Sequence, residues 1–402
     1  MIKAWDSDGH VSESEVTFSD KYWDPKLKDR RPTIIETGPD GPLYWMIDTR
    51  SFPVRSGPFQ QAGFPLSKNG KSAKVTPGIS PYDPVESAEM RSVKSRLEQL
   101  DREKTAVQVI YPTMFLSYPI TYDRDLAVAM MRAYNSWIAD LTSQAPDRLK
   151  WVTLVDPVDP HVSVEEIKRT KKMGSVAVML LGVTGDIRID DPPMEPIWAA
   201  ANEVGLPVAV HTGHSFRALG NVNDTHHDKT AISFWLTVQF AFQRVISKGI
   251  ADRYPNLRIA FLEAGCSWVP SLVERITDYS GFPGAAPEKT LEEATTPSIC
   301  LRNTLRGGRF TLASRLMRNC FRLRSRSLET SAGFMARIFL METGFMARSM
   351  FFSKEKTLAR KASESSLSIT PRAFMDSMFR MDLNRLRTSD GGAGLLLFSL
   401  QN

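Results

Sequence analysis

Apolar residues along the chain gather into six short runs, most of which end in small or polar residues. The runs occupy residues 2–10, 106–113, 149–156, 175–182, 206–213 and 257–265. They are largely continuous in Val, Ile and Leu instead of alternating with polar residues, a pattern typical of parallel strands that are covered on both faces. We therefore predict six buried parallel strands.

Segments with helical spacing of apolar residues lie between these runs. They occupy residues 83–104, 123–141, 162–174 and 191–205. The last two end on Gly174 and Gly205, and glycine is a common helix stop. This alternation predicts an α/β fold with right-handed crossovers, of the TIM (β/α)8-like barrel type. Because only six of the eight units of a closed barrel are visible, we expect an incomplete barrel.

Residues 20–80 interrupt the pattern and are rich in Pro, Gly and aromatic residues. They follow the first strand, on the barrel face where βα loops build active sites. Two interpretations stay open for this insertion: a cap over the substrate, or a partly ordered surface loop.

The composition is that of a soluble globular protein, with 42% apolar and 24% charged residues among 402. No apolar run reaches the roughly 18 residues of a membrane span, and the first ten residues form no apolar signal segment. The three cysteines are odd in number and lack metal-binding spacing. We expect a cytoplasmic protein without membrane partners.

The net charge of +6 is unevenly distributed along the chain. Residues 297–402 hold 18 Lys and Arg against 7 Asp and Glu, a net of +11, whereas the remainder has a net of −5. A basic nucleic-acid-binding tail is one explanation. It lacks aromatic stacking motifs and any recognisable module, so we predict no nucleic-acid partner.

Four polar side chains fall where barrel strands end. Asp8 and His10 alternate in the first strand, so both side chains point to the same side. His211 ends the fifth strand and Glu263 the sixth, positions at which barrels deliver catalytic side chains. Although a single strand-end histidine more often serves structure, the four together predict a divalent metal site, with donors that suit zinc or manganese.

The other histidines have weaker claims to a functional role. His214 lies three residues beyond His211 and could support a metal ligand from behind. His226 and His227 fall in a polar loop and are predicted to be surface residues. His161 starts a helix and is predicted to be structural.

Five stretches of the chain resemble one known family. They are DSDGHV, VIYPT, PDRLKWVTLVDP, DDPPMEPIWAAANEVGLPVAVHTG and YPNLRIAFLEAGCSWVPSLVERI. The chain resembles the amidohydrolase-related family, which includes aminocarboxymuconate-semialdehyde decarboxylase and hydroxybenzoate-type decarboxylases. The resemblance covers residues 1–295, which we predict to form the metal-dependent barrel domain.

The resemblance implies a divalent metal bound by Asp8, His10 and His211, together with an Asp late in the chain. Many members have a His after the sixth strand where this chain has Glu263, which we predict to be catalytic together with His211. It further implies metal-dependent hydrolysis or non-oxidative decarboxylation of a carboxylate-bearing small molecule. A homodimer is the assembly that the resemblance suggests.

The family's late Asp normally lies in a Ser-Asp-[Phe/Tyr]-Pro-His stretch, but no Asp occurs here between Asp278 and Asp376. A frame displaced by one base accounts for this. Taken one base earlier, the codons of residues 335–343 permit Gly-Ser-Asp-Phe-Pro-His-Gly-Asp. Both glycines are forced, because the single Met codon ends in G and the codons of Ala336 and Glu342, which follow Met335 and Met341, begin with G. The same shift at 368–376 permits the family's terminal motif.

Residues 296–402 are therefore predicted to be an out-of-frame, poorly ordered tail. Two of eight barrel units would then be missing, and we expect the first and sixth strands to have unpaired edges. The alternative to an active enzyme is a catalytically defunct member of the family that lacks the late Asp ligand.

Overall fold

The structure is a computed structural model of the 402-residue chain. It describes residues 4–36, 43–53, 85–117, 119–223, 228–254, 256–279 and 310–312. Within these residues no helix is both long and apolar enough to cross a membrane. The histidine pair at 226 and 227, the stretches 335–343 and 368–376 and nearly all of the predicted tail lie outside the described residues.

Seven parallel strands form the main sheet. In their order across the sheet, they are β1 (Ala4–Val11), β5 (Thr105–Pro112), β6 (Leu149–Leu154), β7 (Ala177–Leu181), β10 (Val208–His211), β11 (Ile259–Phe261) and β12 (Phe310–Leu312). All residues of β7 and β10 are buried, as expected for strands covered on both faces. The six predicted strands and the predicted α/β barrel class are confirmed.

The seventh strand, β12, lies inside the segment predicted to be a tail. It pairs in parallel with β11, so that Ile259 lies opposite Phe310 and Phe261 opposite Leu312. The expectation that the sixth strand has an unpaired edge is therefore wrong, because pairing across the sheet could not be inferred from the short FTL sequence. Strand β1 pairs only with β5 among the described residues.

Helices alternate with these strands. The α-helices are α1 (Val85–Ala88), α2 (Val93–Arg102), α3 (Arg124–Thr142), α4 (Pro160–Lys172), α5 (Glu195–Glu203), α6 (Arg217–Asn221), α7 (Trp235–Ser247), α8 (Ile250–Arg253) and α9 (Val269–Tyr279). Short 3-10 helices cover Glu15–Phe18, Pro25–Arg30, Met114–Ser117 and Pro192–Met194, and a π-helix covers Lys229–Phe234. The four predicted helical segments all contain helices.

Local sequence explains where the main helices begin and end. The Asp123 carboxylate accepts a hydrogen bond from the Leu126 N–H at the start of α3, and Asp159 caps α4 in the same way. Gly174 and Gly205 follow α4 and α5 with φ of 96° and 68°. This left-handed conformation costs glycine little, so the predicted helix stops are confirmed.

The insertion after β1 forms structure of its own. Its strands β2 (Thr33–Glu36), β3 (Leu43–Ile47) and β4 (Arg50–Pro53) make a three-stranded antiparallel sheet. Outside the insertion, a separate hairpin pairs β8 (Val183–Thr184) with β9 (Ile187–Arg188). Trp45 of β3 is 2% exposed and packs edge-on against Phe18, with 5.5 Å between ring centroids. The sheet is thus anchored by a buried aromatic pair.

The buried core consists of two clusters. One is built around β1, β5, β6 and α3, and includes Trp137 and Trp151. The other is built around β7, β10, β11, α5 and α7, and includes Trp198 and Phe242. Burying each large aromatic side chain stabilises the fold by roughly 1.5–3 kcal/mol, so these clusters hold the strand ends, and the side chains on them, in place.

Candidate metal centre and adjoining pocket

Asp8, His10, His211 and Glu263 converge at one end of the main sheet. Each offers one ligand atom, and these four atoms lie within 4.8 Å of one another. The first two side chains come from β1, the third is the last residue of β10, and the fourth lies two residues beyond β11. The structure therefore brings together the four residues singled out in the sequence.

A bulge in β1 aims Asp8 at the centre. Asp6 lies opposite Gln108, yet Gly9 lies opposite Ile110, so β1 holds one residue more than β5 between these pairs. Such a bulge bends a strand and redirects its side chains. The arrangement is thus less regular than the simple strand alternation from which the pairing of Asp8 with His10 was predicted.

His10 presents an unprotonated nitrogen to the centre. Its Nδ1 lies 3.0 Å from the carbonyl oxygen of Pro112, and because a carbonyl only accepts, Nδ1 is the protonated nitrogen. Its Nε2 is buried and has no hydrogen-bond partner among the described residues. The nearest carboxylate oxygens belong to Glu263 at 3.8 Å and Asp8 at 3.9 Å. Burial lowers the pKa of His10, and the neighbouring His211 lowers it further.

His211 and Asp8 are joined by a hydrogen bond across the centre. His211 is fully buried; its Nδ1 donates to the Thr212 carbonyl at 2.8 Å, and its Nε2 lies 3.2 Å from Asp8 Oδ1. Burial alone would lower the pKa of His211. The hydrogen bond with Asp8 and the charges of Asp8 and Glu263 outweigh burial and raise the pKa to about 9. The proton thus takes the position between a carboxylate and an imidazole that a cation would otherwise hold.

Glu263 is held in an unusual backbone conformation. Its φ is 55°, in the left-handed region, which costs a non-glycine residue on the order of 1–3 kcal/mol. The Thr212 hydroxyl donates to Glu263 Oε2 at 3.1 Å, while Oε1 faces His10. Backbone strain at such a position is typical of functional sites. With 24% of its side chain exposed, Glu263 lies at the open side of the centre.

These residues fit a divalent metal ion. Two imidazoles and two carboxylates are the donor set that zinc and manganese accept. The hydrogen bond from His10 Nδ1 to a carbonyl orients the ring as the outer partners of metal-binding histidines do. The buried lone pair of His10 Nε2 is otherwise unsatisfied among the described residues. The buried Tyr111 ring packs against the His211 ring, with 5.4 Å between the ring centroids.

A pocket of about 330 Å³ adjoins the centre. Its lining residues are Arg50, Ser117, Pro119, Tyr122, Gly185, Gly213, His214, Ser215, Phe216, Arg217, Gly220, Asn221, Lys229 and Ser233. Gly213 and His214 lie two and three residues beyond His211, so this part of the pocket wall lies next to the cluster in the chain. Because Arg50 belongs to β4, the insertion after the first strand contributes one residue to the lining of the pocket.

Two further histidines, His161 and His214, lie among the described residues. His214 lines the pocket and packs against Phe234, with ring centroids 4.9 Å apart, and does not join the metal cluster. His161 is the second residue of α4, at the start of the helix as predicted, and it is exposed.

Sequence patterns missed two groups of residues. Thr212 could have been suspected because it adjoins His211. The pocket cations could not, because Arg50 is far in the chain from Arg217 and Lys229 and the three carry no shared motif.

A model of the amidohydrolase family matches residues 93–290. This part of the chain belongs to the amidohydrolase family. The match begins after β1, so Asp8 and His10 lie outside it. Strand β1 pairs with β5 of the matched segment, and this pairing places the two residues beside that segment. The predicted family is therefore confirmed on the segment that supplies His211 and Glu263.

Curated relatives of the amidohydrolase segment include two decarboxylases. Gamma-resorcylate decarboxylase of Rhodococcus jostii is 22% identical over 182 residues, covering 42% of this chain and 55% of the relative. The 2-amino-3-carboxymuconate-6-semialdehyde decarboxylase of Dictyostelium discoideum is 23% identical over 192 residues, covering 45% and 50%. The chain thus spans about half the length of the curated relatives it matches.

A solved amidohydrolase from Mycobacterium avium subsp. paratuberculosis has the same fold. It superimposes with a TM-score of 0.59 at 19% identity, over 78% of this chain and 82% of that one. At this level of identity the likeness concerns the fold alone, and it agrees with the barrel architecture predicted from the strand and helix pattern.

Proposed function

We propose that this protein is a metal-dependent enzyme that removes carbon dioxide, without oxidation, from a carboxylate-bearing small molecule. The observation that carries the proposal is the buried Nε2 of His10, whose lone pair faces two carboxylates and a second imidazole. The adjoining pocket is lined by cations. Both curated relatives described above are decarboxylases, which supports this reaction over hydrolysis.

Asp8, His10 and His211 are the proposed metal ligands. A divalent ion bound there would orient the substrate carboxylate and stabilise negative charge that develops during the reaction. Pro112 and Thr212 accept the Nδ1 protons of the two histidines, so each Nε2 is directed at the centre. These carbonyls therefore determine which nitrogen of each imidazole ring can bind the metal ion.

Glu263 is the proposed catalytic acid or base, with His211 contributing beside it. Loss of carbon dioxide breaks a carbon–carbon bond and leaves the electron pair on carbon, which must then receive a proton. Glu263 is suited to deliver it because its Oε2 is positioned by Thr212 and its side chain is partly exposed toward the open side. Thr212 is a positioning residue that acts through Glu263.

The test is an assay of the metal-loaded chain with γ-resorcylate and with other aromatic or unsaturated carboxylates. We expect carbon dioxide in amounts equal to the substrate consumed, only when zinc or manganese is present, and not with His10→Gln. Opening of an amide or lactone without carbon dioxide would replace the proposal by hydrolysis. Metal binding without turnover of any substrate would support the alternative of a defunct family member.

We also propose that the partners are small molecules and not nucleic acids or membranes. We further propose that the protein is cytoplasmic and forms a homodimer. The assembly is measured by light scattering coupled to size-exclusion chromatography. A monomer at micromolar concentration would contradict the dimer without affecting the proposed reaction.

A further inference from the structure

Three cationic side chains line the pocket beside the metal centre. They are Arg50, Arg217 and Lys229, and no Asp or Glu among the described residues lines the pocket. Clefts lined by one sign of charge concentrate ligands of the opposite sign.

Arg50 has a structural role that accounts for its presence. Its guanidinium donates hydrogen bonds to the carbonyl oxygens of Pro119 and Ile120, at 3.0 and 2.7 Å, and lies 5.0 Å from the centre of the Phe52 ring. Arg50 thus ties β4 to the segment after β5. The other two cations have no comparable explanation.

Arg217 is held in position without being neutralised. Its guanidinium lies 5.9 Å from the centre of the Tyr122 ring and donates to the Tyr122 hydroxyl at 3.3 Å. A neutral phenol orients the guanidinium, whose remaining N–H groups keep the fork geometry that matches a carboxylate.

Lys229 is held by the same local framework. It begins the π-helix Lys229–Phe234, and Ser233, four residues further on, also lines the pocket. The Ser233 hydroxyl donates to the carbonyl of Leu219 in α6 at 2.9 Å, and accepts from Asn223 at 2.8 Å. The π-helix is therefore fastened to the helix that carries Arg217, and π-helical turns are frequent at functional sites.

We propose that Arg217 and Lys229 form a second anion-binding site in the pocket, so that the substrate is a dianion. One carboxylate of that substrate faces the metal centre, and a second anionic group, such as another carboxylate, lies between the guanidinium and the ammonium group. This inference rests on the proposed function, since that function places the first carboxylate at the metal.

The test compares two probes, benzoate and benzene-1,3-dicarboxylate, by calorimetric titration of the zinc-loaded full chain. We expect the dicarboxylate to bind more tightly, by about fivefold for each partly exposed cation, and this preference to shrink in high salt. Arg217→Gln and Lys229→Gln should each reduce the ratio of the two affinities by about fivefold. Lys171→Gln, an exposed change on α4, is the matched control and should leave the ratio unchanged.

An equal affinity for the two probes in the unmodified protein, or a preference that survives in the double variant, would overturn the second site. Failure of the proposed function looks different. Zinc would then leave benzoate binding unaffected, while a dicarboxylate preference that depends on Arg217 and Lys229 would still support the second site. Circular dichroism of each variant shows that the fold is retained.

Discussion

The side chains of Asp8 and His211 meet, with Oδ1 and Nε2 3.2 Å apart, although 203 positions separate them in the chain. In the sheet order, four steps separate β1 from β10. Steps of about 4.8 Å would place these strands about 19 Å apart in a flat sheet. The contact therefore requires the sheet to curl into part of a barrel, and the curl is what assembles the centre.

Removing one donor from the centre should weaken metal binding. We expect His10→Gln and Asp8→Asn each to reduce zinc affinity at least tenfold, because even loss of an outer partner of a metal ligand typically costs about 10- to 100-fold. Calorimetric titration measures the change, and His161→Gln on α4 is the control. Equal zinc affinity in all three variants would remove these residues from the site.

Glu263 should affect turnover more than metal binding. Glu263→Gln is expected to lower kcat by about 100-fold or more, the usual contribution of a general acid, while zinc affinity falls by less than tenfold. Thr212→Val removes only the hydrogen bond that positions Oε2, so a smaller loss of kcat is expected. If Glu263→Gln abolished zinc binding instead, Glu263 would be a metal ligand.

Asp156 should make stability depend on pH. This carboxyl group lies beyond β6 and is 1% exposed; burial, with the nearby charge of Asp159, raises its pKa from 3.8 to about 7, although the hydrogen bond from Val158 opposes the change. Between these values the folded protein keeps a proton that the unfolded chain releases. Its contribution to the free energy of unfolding therefore falls as pH rises from about 4 to 7, by up to about 4 kcal/mol, and is constant above that.

Asp156→Asn tests this directly, because asparagine resembles the protonated acid and still accepts from Val158. Urea unfolding at pH 5 and pH 8 should show the variant close to the unmodified protein at pH 5 and more stable at pH 8. Asp147→Asn, at an exposed position, is the control. An identical difference at both pH values would show that Asp156 does not titrate as described.

The out-of-frame tail remains a proposal that nucleotide sequence can test. We expect the transcript between the codons for Thr296 and Leu312 to lack one base or to contain a misplaced exon edge. Restoring the frame should recover the Ser-Asp-Phe-Pro-His stretch together with stronger zinc binding, because that stretch supplies the late Asp. Early stop codons in the corrected frame would contradict the proposal. Strand β12 (Phe310–Leu312) lies at the end of the stretch from Thr296 to Leu312.

Sequence alone determined the parallel strands, the helices between them and the four polar residues that converge at one end of the sheet. Continuous Val, Ile and Leu runs mark buried parallel strands because both faces of such strands are covered. Asp8, His10, His211 and Glu263 could be identified because strand ends share one face of a barrel. Such features depend on residues that are close in the chain, or on a rule that applies to every strand.

Tertiary structure alone decided the bulge at Asp8, the left-handed backbone of Glu263 and the hydrogen bond that Thr212 donates to it. It also brought Arg50 of β4 to the pocket that Arg217 and Lys229 line, and paired β12 with β11. Most of these features depend on contacts between segments that are distant in the chain. Short-range periodicity carries no information about such contacts, because they arise only when the sheet curls and the helices pack against it.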